Sequence, residues 1–214
     1  MNTISIVNSQ EVSIAMKVNG NVISRNNLDF GRALDAEYLP YLEALLRENS
    51  LALKDIGGWS VGLGPGSFAG IRFALALVKG ICGVTGAKTR GIPDSFAIAT
   101  AWLKNNAFDG KIGVVTDARC NCAFVTVYDV QAGRVIPVEA PILMKKDDIW
   151  PAWADCGVYL TSTPDVRANM PEAFASRVVD CPPAQAVDIL DADETLFPWM
   201  PTPDIEPLYV RPPA

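Results

Sequence analysis

The chain contains no histidine in its 214 residues. That absence removes an imidazole general base, a Ser–His–Asp triad and a His-based zinc peptidase centre from the chemistry open to it. Charge is scarce as well. Only 20% of residues are charged, and 18 Lys and Arg face 24 Asp and Glu for a formal net charge of −6. The basic residues are scattered rather than gathered into a stripe, so the chain has no evident surface for neutralising phosphates and no direct grip on RNA is expected. Long hydrophobic runs are missing too: residues 73–84 are too short for a membrane span and are interrupted by Lys79 and Gly80. The start, Met1-Asn2-Thr3-Ile4-Ser5, lacks the basic opening of a signal peptide. A soluble cytoplasmic protein is expected, with no membrane contact. Its five cysteines, Cys82, Cys120, Cys122, Cys156 and Cys181, are an odd number and fit reduced thiols better than a disulfide framework. Cys120-Asn121-Cys122 lacks the ligand number and spacing of a structural zinc site, so no metal is expected.

What is present is apolar and patterned. Half the residues are hydrophobic, enough for one large core or two smaller ones. The most informative stretch runs over residues 61–80. An apolar strand ends in Gly64-Pro65-Gly66, and Ser67 then stands where a helix N-cap belongs, able to accept from the amides of residues 69–70. From Phe68 to Cys82 only Arg72 and Lys79 are charged, so the helix is expected to be covered on nearly every side, by its own domain or by another protein. Small residues at Gly70, Ala74, Ala76, Gly80 and Gly83 would admit a close partner helix. A glycine turn ahead of a helix can cradle an anion, here through Gly66 and Ser67. The run has neither the Gly-Lys-Ser/Thr ending of a P-loop nor the Gly-x-Gly-x-x-Gly spacing of a dinucleotide site, and a structural turn is the plainer reading.

Two halves of the chain open alike. Residues 3–7 and 12–18 read as strands, Asn19-Gly20 as a two-residue hairpin turn and 22–25 as the returning strand. Residues 111–116 and 123–129, a turn at 131–133, and 134–138 repeat the pattern. Residues 31–49 form an amphipathic helix with Leu34, Tyr38, Leu42 and Leu45 on one face, which Pro40 should kink or begin. Residues 59–63 are a buried strand, and 94–105 a helix N-capped by Asp94. Further on, 146–154 reads as a short helix, 158–161 as a strand, and 171–176 and 184–190 as helical turns. Six of the 16 prolines fall in residues 198–214, which should therefore form an extended tail with Leu208-Tyr209-Val210 docked on the surface. A boundary fits near residues 89–93 or 105–110; placed at about residue 108, it gives subdomains 1–108 and 109–214. Asp147-Asp148 and the run Asp191, Asp193, Glu194 read as a helix start and a polar connection, without a catalytic role.

The string Gly64-Pro65-Gly66-Ser67-Phe68-Ala69-Gly70-Ile71-Arg72 resembles the Gly-Pro-Gly-Ser-Phe-Thr-Gly-Leu/Val-Arg signature of the TsaB (YeaZ) family, bacterial proteins of tRNA threonylcarbamoyladenosine synthesis. Ala69 replaces the usual Thr. In the expected order, Val115-Thr116-Asp117-Ala118-Arg119 resembles the family's strand ending in Asp-Ala-Arg. Tyr128 closes the next strand, and Pro207-Leu208-Tyr209-Val210-Arg211 is similar to the terminal Pro-x-Tyr-Leu-Arg.

The resemblance implies an α/β, actin-like or sugar-kinase-like fold, a duplicated βββαβα arrangement in two subdomains. It also implies a non-catalytic scaffold that pairs with the catalytic TsaD subunit, with the ATPase TsaE joining, and that forms a homodimer when alone. That complex transfers a threonylcarbamoyl group from an adenylate to adenosine 37 of tRNAs reading codons that start with A. On this chain the partner surface would comprise Leu34, Tyr38, Leu42, Gly70, Phe73, Ala74 and Leu77. Asp117 and Arg119, placed in a turn facing the cleft where active relatives hold phosphates, would be the remaining nucleotide-site candidates. The plainer reading is a locally satisfied turn Asp paired with the Arg. No cofactor is implied, ATP or ADP entering only weakly or at a partner interface.

Two departures stand out. Asn8-Ser9 occupies the first hairpin turn, where the family and its fold carry Asp-Thr or Asp-Ser. Leu160-Thr161-Ser162-Thr163 has none of the glycines that nucleotide-binding members bring to the adenosine. Both weigh against ATP hydrolysis, since a neutral amide is a poor Mg²⁺ ligand. The alternatives are a kinase-like or nucleotide-binding actin-like protein, the glycoprotease activity once ascribed to relatives, which the lack of histidine disfavours, and a paralogue that has lost its TsaD partner.

Overall fold

The computed structural model describes residues 1–145, 156–200 and 205–208; the expected helix at 146–154, the Asp147-Asp148 pair and Tyr209 to Arg211 lie outside them. Strands β1 (Thr3–Asn8), β2 (Val12–Val18) and β3 (Asn21–Leu28) lead to helix α1 (Leu34–Glu48), then β4 (Gly58–Gly62), α2 (Phe68–Thr85), β5 (Lys88–Ile92) and α3 (Asp94–Leu103). Strands β6 (Gly110–Arg119), β7 (Cys122–Gln131), β8 (Arg134–Pro137) and β9 (Ile142–Lys145) follow, and then β10 (Val158–Thr161), α4 (Glu172–Ala175), β11 (Val178–Asp180) and α5 (Ala186–Leu190). The chain divides into two compact units, one of Met1–Ile92 with Gln185–Pro207, the other built on Pro93–Ala184. The division falls at the earlier of the two places considered for it, not near residue 108, because α3 packs on β6, β7, β8 and β10. The segment after Gln185 returns to the first unit, which no local sequence signal announces.

The first unit is a five-stranded sheet in the order β3-β2-β1-β4-β5. Its first three strands are antiparallel, and β4 and β5 run parallel to β1. Asn19 and Gly20 take φ of +50° and +86°, the left-handed pair that a tight two-residue hairpin needs. Alternation sorts the central strands by face. Ile4, Ile6, Ile14, Met16, Trp59 and Val61 form one core with Tyr38, Leu42, Leu45 and Leu46 of α1 and with Ile71, Leu75 and Val78 of α2. Pro40 does not start α1; the helix runs through it from Leu34, and Pro40 lies on the exposed side, where water can take the freed carbonyl. α2 is 18 residues long with a mean hydropathy of 1.6, so among the described residues one helix does reach the length and apolarity of a membrane span, against expectation. Its buried stripe, Ile71, Ala74, Leu75, Val78, Ile81 and Cys82, is seated on the sheet.

Polar side chains occupy the alternate positions. Ser5, Ser13, Ser60 and Arg90 are buried there and bind the returning segment. Ser5 Oγ donates to Ala186 O (2.7 Å), and Ser13 Oγ accepts from Ala186 N (2.8 Å). The Arg90 guanidinium donates to Ser60 Oγ (2.8 Å), Leu190 O (2.8 Å) and Ala192 O (2.7 Å), with its carbon 4.2 Å from the Trp199 ring. Two of those acceptors close the C-terminal end of α5, where a cation is favoured. Burial pulls the Arg90 pKa down, opposed by Glu194 and Asp191. The acidic run serves this connection, as expected: Asp191 pairs with Lys17 (2.7 Å), Asp193 accepts from Thr195, and Glu194 accepts from Trp199 Nε1 (2.9 Å).

The second unit repeats the plan. Its sheet runs β11-β10-β6-β7-β8, with β9 on the far half of β7. β6, β7 and β8 are antiparallel neighbours, and β10 and β11 run parallel to β6. An antiparallel triplet followed by two parallel strands on the other side of the first strand thus occurs twice, and this is the duplicated actin-like, sugar-kinase-like α/β fold. Tyr128 lies inside β7 rather than at its end, fully buried, with its hydroxyl 2.7 Å from Ser95 Oγ. Asp94 is the first residue of α3, not its cap; Pro93 holds the cap position.

Candidate functional site

Both hairpin turns that open the repeats are tied down by their own chain. In the first unit, Asn8 and Ser9 are buried at the end of β1. Asn8 Nδ2 donates to Gly70 O (3.1 Å), and Ser9 O accepts from Ser67 N (2.6 Å). Ser67 caps α2 as its sequence position suggested, its hydroxyl accepting from Gly70 N (3.3 Å). A Cβ at Gly70 would run into the carbonyl oxygen of Asn8, and one at Gly66 would lie 2.6 Å from Ser9 Cβ. The glycines in this string are therefore demanded by close backbone approach. The amides of Ser67 and Gly70, which an anion at Gly66 and Ser67 would need, are already engaged within the chain.

In the second unit, Asp117 and Arg119 lie on β6 itself, and the turn proper is Cys120-Asn121, both with positive φ. Asp117 is exposed; its amide donates to Thr163 Oγ1 (3.1 Å), and its carboxylate accepts from Asn169 Nδ2 (3.4 Å). The side chain of Arg119 lies outside the described residues. Where nucleotide-binding relatives would carry glycines, Thr161 and Thr163 close a hydroxyl turn on themselves: Thr163 N donates to Thr161 Oγ1 (3.1 Å), which donates to Thr163 O (3.2 Å). Cys120 is exposed and Cys122 buried, and no group of three metal-ligating side chains occurs among the described residues.

The open feature is the outer face of α1 and α2. A groove of about 880 Å³ lies between them, floored by Leu46, Leu77 and Ile81 and rimmed by Glu43, Arg47 and Lys54. Ala69, Ala76, Gly80 and Gly83 form an exposed stripe along α2, beside Val84, which is 89% exposed. Phe68, 48% exposed, carries the Arg72 guanidinium at 3.9 Å. A Cβ at Gly80 or Gly83 would meet nothing within 4 Å. Glycine inside a helix costs roughly 0.5–1 kcal/mol against alanine, and nothing packed among the described residues calls for it at either position.

Of the surface residues proposed from the sequence, Leu77 lines this groove, and Leu34 and Phe73 are half-buried against the unit's core. Tyr38, Leu42, Gly70 and Ala74 are not on it: they are buried in the unit's own core, Tyr38 edge-on to Phe73 at 5.4 Å. That burial pushes the Tyr38 hydroxyl pKa far up. Amphipathic spacing marks the inward stripe of a helix. Of the small residues named from the sequence, the structure divides Gly70 and Ala74, which face inward, from Ala76, Gly80 and Gly83, which face out beside Val84.

No family model matches the chain. The tRNA threonylcarbamoyladenosine biosynthesis protein TsaB of Bacillus subtilis (strain 168) is 31% identical over 104 residues, 46% of this chain and 43% of that protein. The match thus spans less than half the length of that relative. A Pseudomonas aeruginosa protein described as uncharacterized with similarity to peptidase YEAZ superposes with a TM-score of 0.80 at 19% identity, covering 98% of this chain and 99% of that one. The chain has the YeaZ fold, and 104 of its residues are similar to TsaB. YeaZ from Pseudomonas aeruginosa also superposes on this chain, at a TM-score of 0.74 and 19% identity over 88% of each chain. Within the TsaB/YeaZ fold seen here, the residues 64–72 string latches α2 to the β1–β2 turn.

Proposed function

We propose that the chain serves tRNA threonylcarbamoyladenosine synthesis in the cytoplasm as a non-catalytic scaffold, docking a TsaD-type catalytic subunit on the α1–α2 face, with a TsaE-type ATPase joining the assembly. The observation that carries this reading is the exposed Gly80 and Gly83 pair beside an apolar groove. These glycines weaken the helix and, among the described residues, no neighbour demands their lack of a side chain, whereas a partner helix needs small residues to come close. Alone, the same face would pair two copies of the chain.

A scaffold role is supported from the other side by the two hairpin turns. Asn8 offers a neutral amide already bound to α2, and Asp117 has its amide and carboxylate engaged by Thr163 and Asn169. Peptidase chemistry would need a base other than histidine, and the carboxylate at these turns, Asp117, is held by Asn169 Nδ2. Reconstitution tests the reading. Mixed with the same organism's TsaD- and TsaE-type proteins, ATP, substrates and tRNA, the chain should be required for modification. With ATP and Mg²⁺ alone it should show no turnover. Turnover by the chain alone, abolished by Asp117→Ala, would overturn the scaffold reading.

A further inference from the structure

The direction in which α2 presents its small-residue stripe is set by the apolar stripe it seats on the sheet and, at its first turn, by the β1–β2 turn. Successive residues are rotated by about 100° around a helix, so a slip of one residue at the start would carry Ala76, Gly80 and Gly83 off the open face and onto the sheet or α1. The helix's own hydrogen bonds do not resist such a rotation. Along the helix the seated stripe of Ile71, Ala74, Leu75, Val78, Ile81 and Cys82 resists it, and at the first turn the resisting contacts come from the β1–β2 turn. Ser9 O takes Ser67 N, the Asn8 carbonyl fills the place a side chain at residue 70 would need, and Asn8 Nδ2 reaches Gly70 O at 3.1 Å. The first two are backbone contacts that many side chains would permit. The third depends on residue 8 having a proton to donate, and Asn8 is only 6% exposed, so water does not substitute for it.

We propose that Asn8 is a positioning residue: by donating its side-chain amide to Gly70 O it pins the first turn of α2 and so fixes the seating from which the Ala76–Gly80–Gly83 stripe is presented for docking. This deepens the scaffold reading and rests on it. The role can be separated from simple space-filling. Leucine has nearly the shape of asparagine but donates nothing, and a carboxylate at neutral pH offers only acceptors to a carbonyl that is itself an acceptor.

Native protein, Asn8→Leu and Asn8→Asp are compared by hydrogen-exchange protection at the Ser67, Gly70 and Ile71 amides, with β4 amides as an internal reference, and by affinity for the TsaD-type partner. Loss of the bond should lower protection at the three amides about tenfold in Asn8→Leu relative to β4, and further in Asn8→Asp. Partner affinity should fall by a similar factor. Should Asn8→Leu fail to fold, Asn8→Ala, which only removes atoms, gives the same comparison. Native protection in Asn8→Leu would overturn the lock, and lost protection with native affinity would overturn its role in docking. Ala76→Glu serves as the control. If it leaves affinity native, the docking reading itself fails, and the lock is still judged on exchange.

Discussion

Replacing Arg90 by methionine should detach the returning segment from the first unit. The side chain is 2% exposed, and its guanidinium makes hydrogen bonds of 2.7–2.8 Å to Ser60 Oγ, Leu190 O and Ala192 O. Hydrogen bonds to a charged group contribute about 1.5–3 kcal/mol each when removed singly, and the stack on Trp199 about 0.5–1 kcal/mol. Against this stands the desolvation of the guanidinium, several kcal/mol, which methionine does not incur. Removing one side of a buried charged contact typically costs about 3–5 kcal/mol, and that range is expected here because two carbonyls lose their only identified side-chain donor. At roughly 2–4 °C per kcal/mol for a chain of this size, Tm should fall by about 6–20 °C. Arg90→Lys keeps the charge but not the three-way fork, so it should lie between the two. Urea unfolding, with limited proteolysis between α5 and Trp199, reads both the magnitude and the place. An Arg90→Met protein within about 0.5 kcal/mol of native, with no new cleavage there, would refute the clamp.

Three further outcomes follow from the same geometry. Gly80→Ala and Gly83→Ala, whose new Cβ atoms meet nothing, should each raise unfolding free energy by about 0.5–1 kcal/mol, whereas Gly70→Ala should lower it because its Cβ collides with the Asn8 carbonyl; denaturant titration separates them. Burial lifts the Cys82 thiol to about 11, and burial with Asp180 lifts Cys181 to about 11. Mild alkylation at pH 8 should therefore mark exposed Cys120 first, with Cys82 and Cys181 gaining thiolate, and reactivity, only as pH climbs toward 11. With a net charge of −6 the chain alone should not shift tRNA in a gel at low or moderate salt; tight, saturable binding would reveal a basic face assembled from distant residues.

Much of this was legible in the sequence, and the failures share a physical cause. Ser67 as a cap, Asn19-Gly20 as a turn and the repeated strand triplets rest on local chemistry, and the structure shows each of them. Arg90 drew no notice because its acceptors lie about a hundred residues on, and a lone arginine in a short strand has no pattern to betray them. Four of the residues put on the partner surface are core residues of the unit instead. Leucines and tyrosines at helical spacing mark what a helix buries, so Tyr38 and Leu42 went inward; Gly80 stood out in the sequence as a small residue, while Val84 carried no signal of exposure. Asn8 was recognised as a lost charge; that it gains a donor aimed at Gly70 is a fact of three dimensions.

The most direct measurement is the affinity of the TsaD-type partner for Gly80→Leu, set beside the unfolding free energy of the same variant. Residue 80 faces solvent with open space around its Cα, so leucine should leave the fold intact or strengthen the helix. If a partner helix packs on the α2 stripe, the added side chain should weaken binding on the order of a hundredfold, a loss of about 2.7 kcal/mol. Native affinity in a stable Gly80→Leu protein would contradict the α1–α2 face as the docking surface.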